Sequence, residues 1–435
     1  MSAAVPKSSV RDGGAERFGR SFLEHILRQI PEVEDPHTPL RQQARAQLAE
    51  LGIPTPREED WKYSDLSPLV AHTFRLAGPG QATLEKAVLE PWLWPESRHS
   101  YVVFVNGYFA PHLSDLSGLP SALRITPLSQ SAPGWLQTIA KVDVFSALNA
   151  AHLAEGIQIE LPPQQEVLPP LHLLWVTLAP EGEAVLAQPR CLVTLQANTA
   201  LTLIEDHVSV GAGIPFGNAV TEIALAEGAR LHHVIFQRQG SQAFHISQTA
   251  VRQGRHSHYR LQALQWGSQF SRHNLEIAQV EPQAHTQLQG LTLLKGSQHS
   301  DTHSRLRHQA PQGSSRQLHK CIVDETARAV FSGRILVSRE AQLTDAAQTN
   351  RNLLLSPKAR VDTRPQLEIF ADNVKCTHGA TVGQLEAEEI FYLQSRGIPL
   401  AQARQLLTYA FAAEILEGIP VAQLPSLVAQ QLGPG

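Results

Sequence analysis

Four consecutive stretches decide the fold: NTALTLIED (residues 198–206), EGARLHHVIFQ (227–237), QGRHSHYRLQAL (253–264) and EPQAHTQLQGLTLL (281–294). Each begins with a turn-forming pair and continues as an apolar or alternating run that is typical of a β-strand. The turns recur about every 26 to 30 residues. A repeat of this length indicates a solenoid whose coils each contribute two or three short strands and cannot bury their apolar face alone.

The same strand-like texture extends well beyond these repeats. It begins at YVVFVNGYF (101–109) and continues to about residue 370, with few helix signals, of which 144–153 is the best. A βαβ architecture needs alternating helices and is therefore disfavoured. Turns also occur at the finer spacing of about 8 to 12 residues that a β-sandwich requires. The period favours a β-helix and leaves the sandwich open.

Helical patterns flank this middle section. After a polar leader to about Gly14, helical spacing of apolar residues begins at Phe18, and a second helix begins at Thr38 with Pro39 at its first turn. Further amphipathic segments follow residue 384. We therefore predict three domains: a mainly helical domain over 1–100, the β core over 101–383, and a helical domain over 384–435 that closes the β body or docks a partner.

The composition argues against nucleic acid and membrane as partners. The formal charge is −4, the pI is near 6.6, and the chain has no run of Lys or Arg that would form a nucleic-acid groove. The most apolar internal run, LHLLWVTLA (171–179), is about half as long as a membrane-spanning helix. The first residues lack the apolar core of a signal peptide. The sequence predicts a cytoplasmic protein.

The cysteines and the absence of common enzyme motifs limit the chemistry. Three cysteines far apart in the chain do not suit a disulfide framework. Cys191 and Cys321 lie in strand-like surroundings and are predicted to be core thiols. The sequence contains no GxxxxGK[ST] loop, no GxGxxG after a strand, no HExxH and no GxSxG. No catalytic residue is predicted, and any nucleotide hydrolysis belongs to a partner.

The stretch FADNVKCTHGATVG (370–383) places the third cysteine, Cys376, two positions before His378. In an extended segment these side chains point to the same face, and both are metal ligands. Cys376 follows Lys375, and a neighbouring cation makes a thiol more reactive. Two ligands are only half a site, which an interface with another chain would complete. The alternative is a buried Cys376 and a His378 that forms a hydrogen bond in a turn before Gly379.

Other conspicuous residues have simpler interpretations. Trp61 and Tyr63 of REEDWKYSDL (57–66) are predicted to anchor the N-terminal domain. The histidines dispersed along the repeats are predicted to form a ladder of surface imidazoles rather than a metal site. This set comprises His232, His233, His256, His258, His299, His303 and His308.

Several motifs resemble a known family. The longest begins AQLTDAAQTNRNLLLSPKARVD and covers 341–416, and shorter ones are REEDWKYSDL (57–66), FVNGYF (104–109), FSALNAAHLAEGI (145–157) and VFSGRILV (330–337). Spread over most of the chain, they resemble the SufB/SufD family, subunits of the bacterial SUF complex for iron-sulfur cluster assembly. VKCTHGATVGQL (374–385) followed by FYLQSRGI (391–398) resembles the SufD branch of that family.

The resemblance implies a fold and a role. The implied fold is a right-handed parallel β-helix between N-terminal and C-terminal helical domains. The implied role is that of a non-catalytic scaffold that pairs with its paralogue SufB through the end of the β-helix and binds the SufC ATPase through the C-terminal helices. Leu407 and Phe411 lie on the apolar stripe of the helix that follows Pro399 and are predicted to be at this interface. A transient iron-sulfur cluster or iron would bind at the SufB interface, with His378 as a ligand and Cys376 beside it. The sequence leaves open whether the chain forms a homodimer when SufB is absent.

Two alternatives of other classes remain open from the sequence. One is a purely structural brace for SufB with no ligand of its own. The other is a β-solenoid enzyme acting on carbohydrate, which would need convergent carboxylates on one face. Acidic residues between 200 and 370 are scattered, and no pair stands out.

Overall fold

The computed structural model describes residues 19–80, 84–130, 142–153 and 155–433. The predicted polar leader and Phe18 lie outside these residues. The helices are α1 (19–27), α2 (Thr38–Glu50), α3 (Ser67–Val70), α4 (Lys86–Leu89), α5 (Val144–His152), α6 (Ala387–Ser395), α7 (Leu400–Leu416) and α8 (Leu424–Leu432).

The strands, in chain order, are β1 (Arg75–Leu76), β2 (Tyr101–Val105), β3 (Tyr108–Phe109), β4 (Arg124–Pro127), β5 (Ile157–Leu161), β6 (Leu171–Leu178), β7 (Ala184–Ala187), β8 (Arg190–Leu195), β9 (Ala200–Val210), β10 (Ile214–Leu225), β11 (Arg230–Gln237), β12 (Phe244–Gln253), β13 (His258–Trp266), β14 (Phe270–Gln279), β15 (His285–Leu294), β16 (His299–His308), β17 (Ser314–Val323), β18 (Arg328–Val337), β19 (Asp345–Leu354), β20 (Arg360–Ile369) and β21 (Lys375–Gly383).

From β8 onward the chain alternates between two parallel sheets. Sheet 1 contains the even-numbered strands β8 to β20, and sheet 2 contains the odd-numbered strands β9 to β21. Between β9 and β21, partners on neighbouring strands are separated by 26 residues, as for Phe244 and Phe270, up to 32 residues, as for Arg328 and Arg360. This is a β-solenoid of about seven turns with helices at both ends of the chain. The predicted β-helix is confirmed, and the sandwich is wrong.

Parts of the solenoid interior are polar. They contain two histidines that the sequence predicts to lie on the surface. Glu205 on β9 is buried, and its Oε1 lies 2.9 Å from His233 Nε2 while its Oε2 accepts a hydrogen bond from Thr221 at 3.0 Å. The predicted surface ladder is wrong for His233 and His308, which are fully buried. These rings find partners inside the coil, because strands on both sides of the interior carry carboxyl, hydroxyl and amide groups.

The N-terminal segment is fixed to the outer face of sheet 1 by a buried polar network. Trp61, which is 5% exposed, lies with its ring centroid 3.7 Å from the Arg272 guanidinium. Arg272 Nη1 donates to Asp301 Oδ2 at 2.6 Å, and Ser64 Oγ donates to the same oxygen at 2.5 Å. The predicted anchoring role of Trp61 is confirmed, and half-buried Tyr63 lies nearby under the Arg328 guanidinium.

Helices α7 and α8 pack on the outer face of sheet 2. Ala412 and Ile415 of α7 and Val428 of α8 are fully buried there, in a cluster that also contains Phe236 and Leu291. Side chains of β13 hold the end of α7, since Gln262 Nε2 donates to the Ile415 carbonyl at 2.8 Å and Arg260 Nη2 to the Glu417 carbonyl at 2.8 Å. The C-terminal helices therefore cover a side of the solenoid and leave its last turn open.

Candidate functional site

The last turn of the solenoid is exposed. Strands β20 and β21 are the final members of sheets 1 and 2, and no described strand pairs with their outer edges. On the preceding strand β19, the inward side chains of Gln348 and Asn350 are 1% and 0% exposed. The inward residue Val382 of β21 is 49% exposed because no further turn covers it. We call β20 and β21 the open end.

Cys376 and His378 both belong to the open end. Their partners on β19 are Ala346 and Gln348, both buried, so the two side chains share the inward face of β21 as predicted. Gly379 lies within the strand, so the alternative of a turn at His378 is wrong. Cys376 is half-buried against an apolar cluster that includes Leu367, while His378 is exposed.

The electrostatics of Cys376 differ from the expectation of a reactive thiol beside Lys375. Burial raises the pKa of the Cys376 thiol, a backbone hydrogen bond with Ala346 offsets part of this rise, and the Asp345 carboxylate adds to it. A hydrogen bond from Arg316, whose Nη2 lies 2.6 Å from Asp345 Oδ2, lowers the pKa of the Asp345 carboxyl further below neutral, so this group stays charged. The thiol is therefore protonated at neutral pH, and a metal ion that binds it must displace the proton.

The described part of the chain offers few metal donors at this site. No three His, Cys, Asp or Glu side chains among the described residues lie close enough together to hold a metal ion. Cys191 and Cys321 are both 1% exposed, which confirms them as core thiols. A zinc ion or an iron-sulfur cluster takes about four protein ligands. A cluster bound at Cys376 and His378 would need donors from outside the described part of the chain.

A second exposed apolar surface lies on the C-terminal helices. Phe391 and Tyr392 of α6 are 72% and 58% exposed, and Leu406 of α7 is 51% exposed. The sequence pattern instead singled out Leu407 and Phe411, which are half-buried.

Phe411 packs against the cluster under α7, and its ring lies 4.9 Å from Lys320 Nζ. Leu407 and Phe411 were found by helical periodicity, which marks the stripe that a helix buries. The exposed Phe391, Tyr392 and Leu406 were missed. The signal that would have found them is the presence of large apolar residues away from that stripe.

Three carboxylates on the outer face of sheet 1 are paired with arginines. On the outer face of sheet 1, ion pairs join Arg190 to Glu222 at 2.9 Å, Arg305 to Glu276 at 2.6 Å, and Arg272 to Asp301 at 2.6 Å. Each carboxylate is thus neutralised by its own arginine.

Within the described ranges, no helix is both long and apolar enough to span a bilayer.

Comparison with known proteins decides the family. The family model described as "SUF system FeS cluster assembly, SufBD core domain" matches residues 178–411, and the model described as "SufBD protein N-terminal region" matches residues 32–173. The chain belongs to the SufBD family. The resemblance inferred from the sequence motifs is confirmed, and this SufBD protein is a member of the SUF system for iron-sulfur cluster assembly.

Three relatives cover nearly the whole SufBD chain. An iron-sulfur cluster assembly SufBD family protein of Synechocystis is 43% identical over 406 residues, which are 90% of this chain and 89% of the relative. The iron-sulfur cluster assembly protein SufD of Escherichia coli is 33% identical over 402 residues, with 91% and 92% covered. Protein ABCI7, chloroplastic, of Arabidopsis thaliana is 29% identical over 411 residues, with 92% and 86% covered.

Proposed function

We propose that this chain is a SufD-type, non-catalytic scaffold subunit that pairs through its open end with a SufB-type paralogue. A nascent iron-sulfur cluster, or iron, binds transiently at the junction with His378 as one ligand. The observation that carries the proposal is the exposure of the last turn, where His378 and Cys376 share an inward face that no described strand covers. Further ligands come from the paralogue.

The backbone and the side chains of the open end both suit a partner that continues the sheets. The outer edges of β20 and β21 carry backbone N–H and C=O groups that a strand of another chain can pair with. Phe370, directly after β20, and Val382 of β21 are 62% and 49% exposed and supply apolar area. A paralogue with the same solenoid would bury both, and it would also exclude water from the Cys376 and His378 side chains.

The test is anaerobic reconstitution of the assembled complex with iron and sulfide. The His378→Ala complex is expected to lose the cluster absorption of the wild-type complex while it still binds the SufC ATPase. Thr377→Ala is the matched control, because Thr377 is exposed on the same strand but lies on the outward face, in register with Ala347. Equal iron and sulfide content in the His378→Ala complex would remove the ligand role and favour the purely structural brace.

The C-terminal helices are the proposed docking surface for the SufC ATPase. The exposed side chains of Phe391, Tyr392 and Leu406 give α6 and α7 an apolar surface that the solenoid does not bury. We expect Leu406→Ser to reduce SufC capture in a pull-down, and Gln402→Ser, an exposed polar change on the same helix, to leave it unchanged.

The half-buried Leu407 and Phe411 remain proposed interface residues. Phe411→Ser also removes a contact with Lys320. It should therefore lower the free energy of unfolding of the chain as well as the amount of SufC captured. Full capture by both Leu406→Ser and Leu407→Ser would place the SufC surface elsewhere.

In the absence of the paralogue, the same open end is proposed to join two copies of this chain. Charged residues on an edge strand oppose pairing between sheets. Val382→Lys is therefore expected to shift the isolated chain from dimer to monomer in light scattering. A dimer that survives Val382→Lys would show that self-association uses another surface.

A further inference from the structure

A buried amide with an unsatisfied acceptor lies one strand below the open end. Gln348 on β19 is 1% exposed, and its Nε2 donates to Gln317 Oε1 on β17 at 2.8 Å. Gln317 Nε2 in turn donates to Ser304 Oγ on β16 at 2.8 Å. Gln348 Oε1 has no hydrogen-bond partner among the described residues. Buried acceptors are normally paired, so we expect a hydrogen-bond donor for this oxygen beyond the contacts described above.

His378 is the registered neighbour of Gln348 on the inward face of β21. Adjacent parallel strands lie about 4.8 Å apart, so an imidazole and an amide on registered positions are within hydrogen-bond reach through a choice of rotamer. Other registered pairs of this solenoid make such contacts. Gln317 and Gln348 are one, and His285 Nδ1 and Ser314 Oγ, 2.7 Å apart, are another.

The opposite wall of the solenoid is shaped to accommodate this amide. A Cβ atom on Gly333 of β18 would lie 2.2 Å from Gln348 Nε2 and 2.9 Å from Gln348 Oε1. The glycine therefore leaves the space that the amide fills. Gln317 holds the Nε2 atom of this amide through a hydrogen bond, and Gly333 leaves room for the amide group. Only Gln348 Oε1 is left without a hydrogen-bond partner among the described residues.

We propose that Gln348 positions His378: its Oε1 accepts a hydrogen bond from one ring N–H of the imidazole. The other ring nitrogen then keeps its lone pair and is directed toward the open end. Metal-binding histidines almost always donate their second N–H to a neighbouring group in this way, and loss of that group weakens metal binding on the order of 10–100-fold. Gln348 is a positioning residue and not a ligand, and the inference rests on the proposed ligand role of His378.

The first measurement is Co²⁺ binding to the assembled complex, with Co²⁺ as the only added metal. Gln348→Met keeps the side-chain length and removes the acceptor, and we expect it to weaken Co²⁺ binding by about 10–100-fold. Gln348→Glu keeps an acceptor but loses the donor to Gln317, so it is expected to bind Co²⁺ within a few-fold of wild type. A merely structural role would make the two variants equally defective.

Asn350→Leu is the matched control for these variants. Asn350 lies on the same strand, is 0% exposed and donates through Nδ2 to the His319 carbonyl at 3.0 Å, but it is registered with Ala380. Its replacement is expected to leave Co²⁺ affinity unchanged. If Gln348→Met binds Co²⁺ as tightly as wild type, or if Asn350→Leu loses as much affinity, the positioning role is overturned.

The second measurement needs neither metal nor partner. Nitrogen-15 spectra of the full chain, with the His378 signals assigned by comparison with His378→Ala, are expected to show one tautomer in wild type and a mixture in Gln348→Met. A mixture in wild type contradicts the inference. If His378→Ala binds Co²⁺ as well as wild type, the proposed function fails; if only Gln348→Met does so, the positioning role alone fails.

Discussion

Two aspartate–arginine ion pairs that have the same nitrogen–oxygen distance but differ in burial allow a quantitative test of what holds the N-terminal segment to the solenoid. In both pairs an arginine Nη atom lies 2.6 Å from an aspartate Oδ2 atom. The side chains of Arg272 and Asp301 are 3% and 1% exposed, whereas those of Arg316 and Asp345 are 53% and 49% exposed. The perturbation is the change of each aspartate to asparagine.

The expected cost differs several-fold between the two sites. Asp301→Asn leaves the Arg272 guanidinium buried without a charged partner and weakens the hydrogen bond from Ser64. Breaking one side of a buried pair costs about 3–5 kcal/mol. Asp345→Asn should cost about 0–1 kcal/mol, because water screens an exposed pair.

The assay is urea unfolding followed by tryptophan fluorescence and circular dichroism. Trp61 stacks on Arg272, so one of the six tryptophans of the chain reports on the N-terminal segment itself. The reasoning is refuted if Asp301→Asn costs less than about 1 kcal/mol or no more than Asp345→Asn. As an internal check, the double variant Arg272→Met with Asp301→Leu should recover most of the loss, since two apolar residues can replace a buried pair.

The pH dependence provides a second check on the same network. Burial would raise the pKa of Asp301, but Arg272 and His303 more than offset this and hold the pKa below its ordinary value of 3.8. A carboxyl with a depressed folded-state pKa contributes stability that is fully present above its unfolded pKa and is lost as the pH falls below it. Wild type should therefore lose stability below about pH 4, and Asp301→Asn should not show this component.

Further predictions concern the interior and the open end. Burial lowers the pKa of His273 to about 4 and that of His319 to about 3. For each of these histidines, the free energy of unfolding should therefore fall by about 1.4 kcal/mol per pH unit as the pH drops below about 6.5. A free energy of unfolding that stays constant from pH 7 to pH 5 in urea titrations would contradict this. Cys376 should be alkylated by iodoacetamide in the native chain well before Cys191 and Cys321, because both of the latter are buried and burial raises the Cys321 pKa to about 12; mass spectrometry of modified peptides checks the order. Asp345→Asn should speed alkylation of Cys376 at pH 8, since the carboxylate raises the thiol pKa; a slower reaction would mean that the thiol is controlled by access rather than by charge.

Much of the solenoid was predictable because turn-forming residue pairs recur once per coil. The turn pairs after residue 198 recur at the spacing that the register shows. The direction of each side chain was not predictable, because both faces of sheet 2 are covered. Ile204 points outward under the C-terminal helices while Glu205 points inward. When both faces are buried, alternation along a strand no longer reveals which face is the interior.

The candidate site was predictable only in part. The period of two along a strand correctly places Cys376 and His378 on one face. Their exposure depends on the absence of a further turn, and the thiol pKa depends on Asp345, which lies 31 residues earlier in the chain and on the neighbouring strand. Neither property is encoded in the local motif, because both depend on which coil comes before and after it.

The central claim is that the open end supplies a cluster ligand through His378. The most direct measurement is the iron and sulfide content, with the absorption spectrum, of anaerobically reconstituted complexes containing wild-type, Thr377→Ala or His378→Ala chains. The account predicts a bound cluster in the first two and its loss in the third, with SufC retained in all three. An undiminished cluster in the His378→Ala complex would contradict the account.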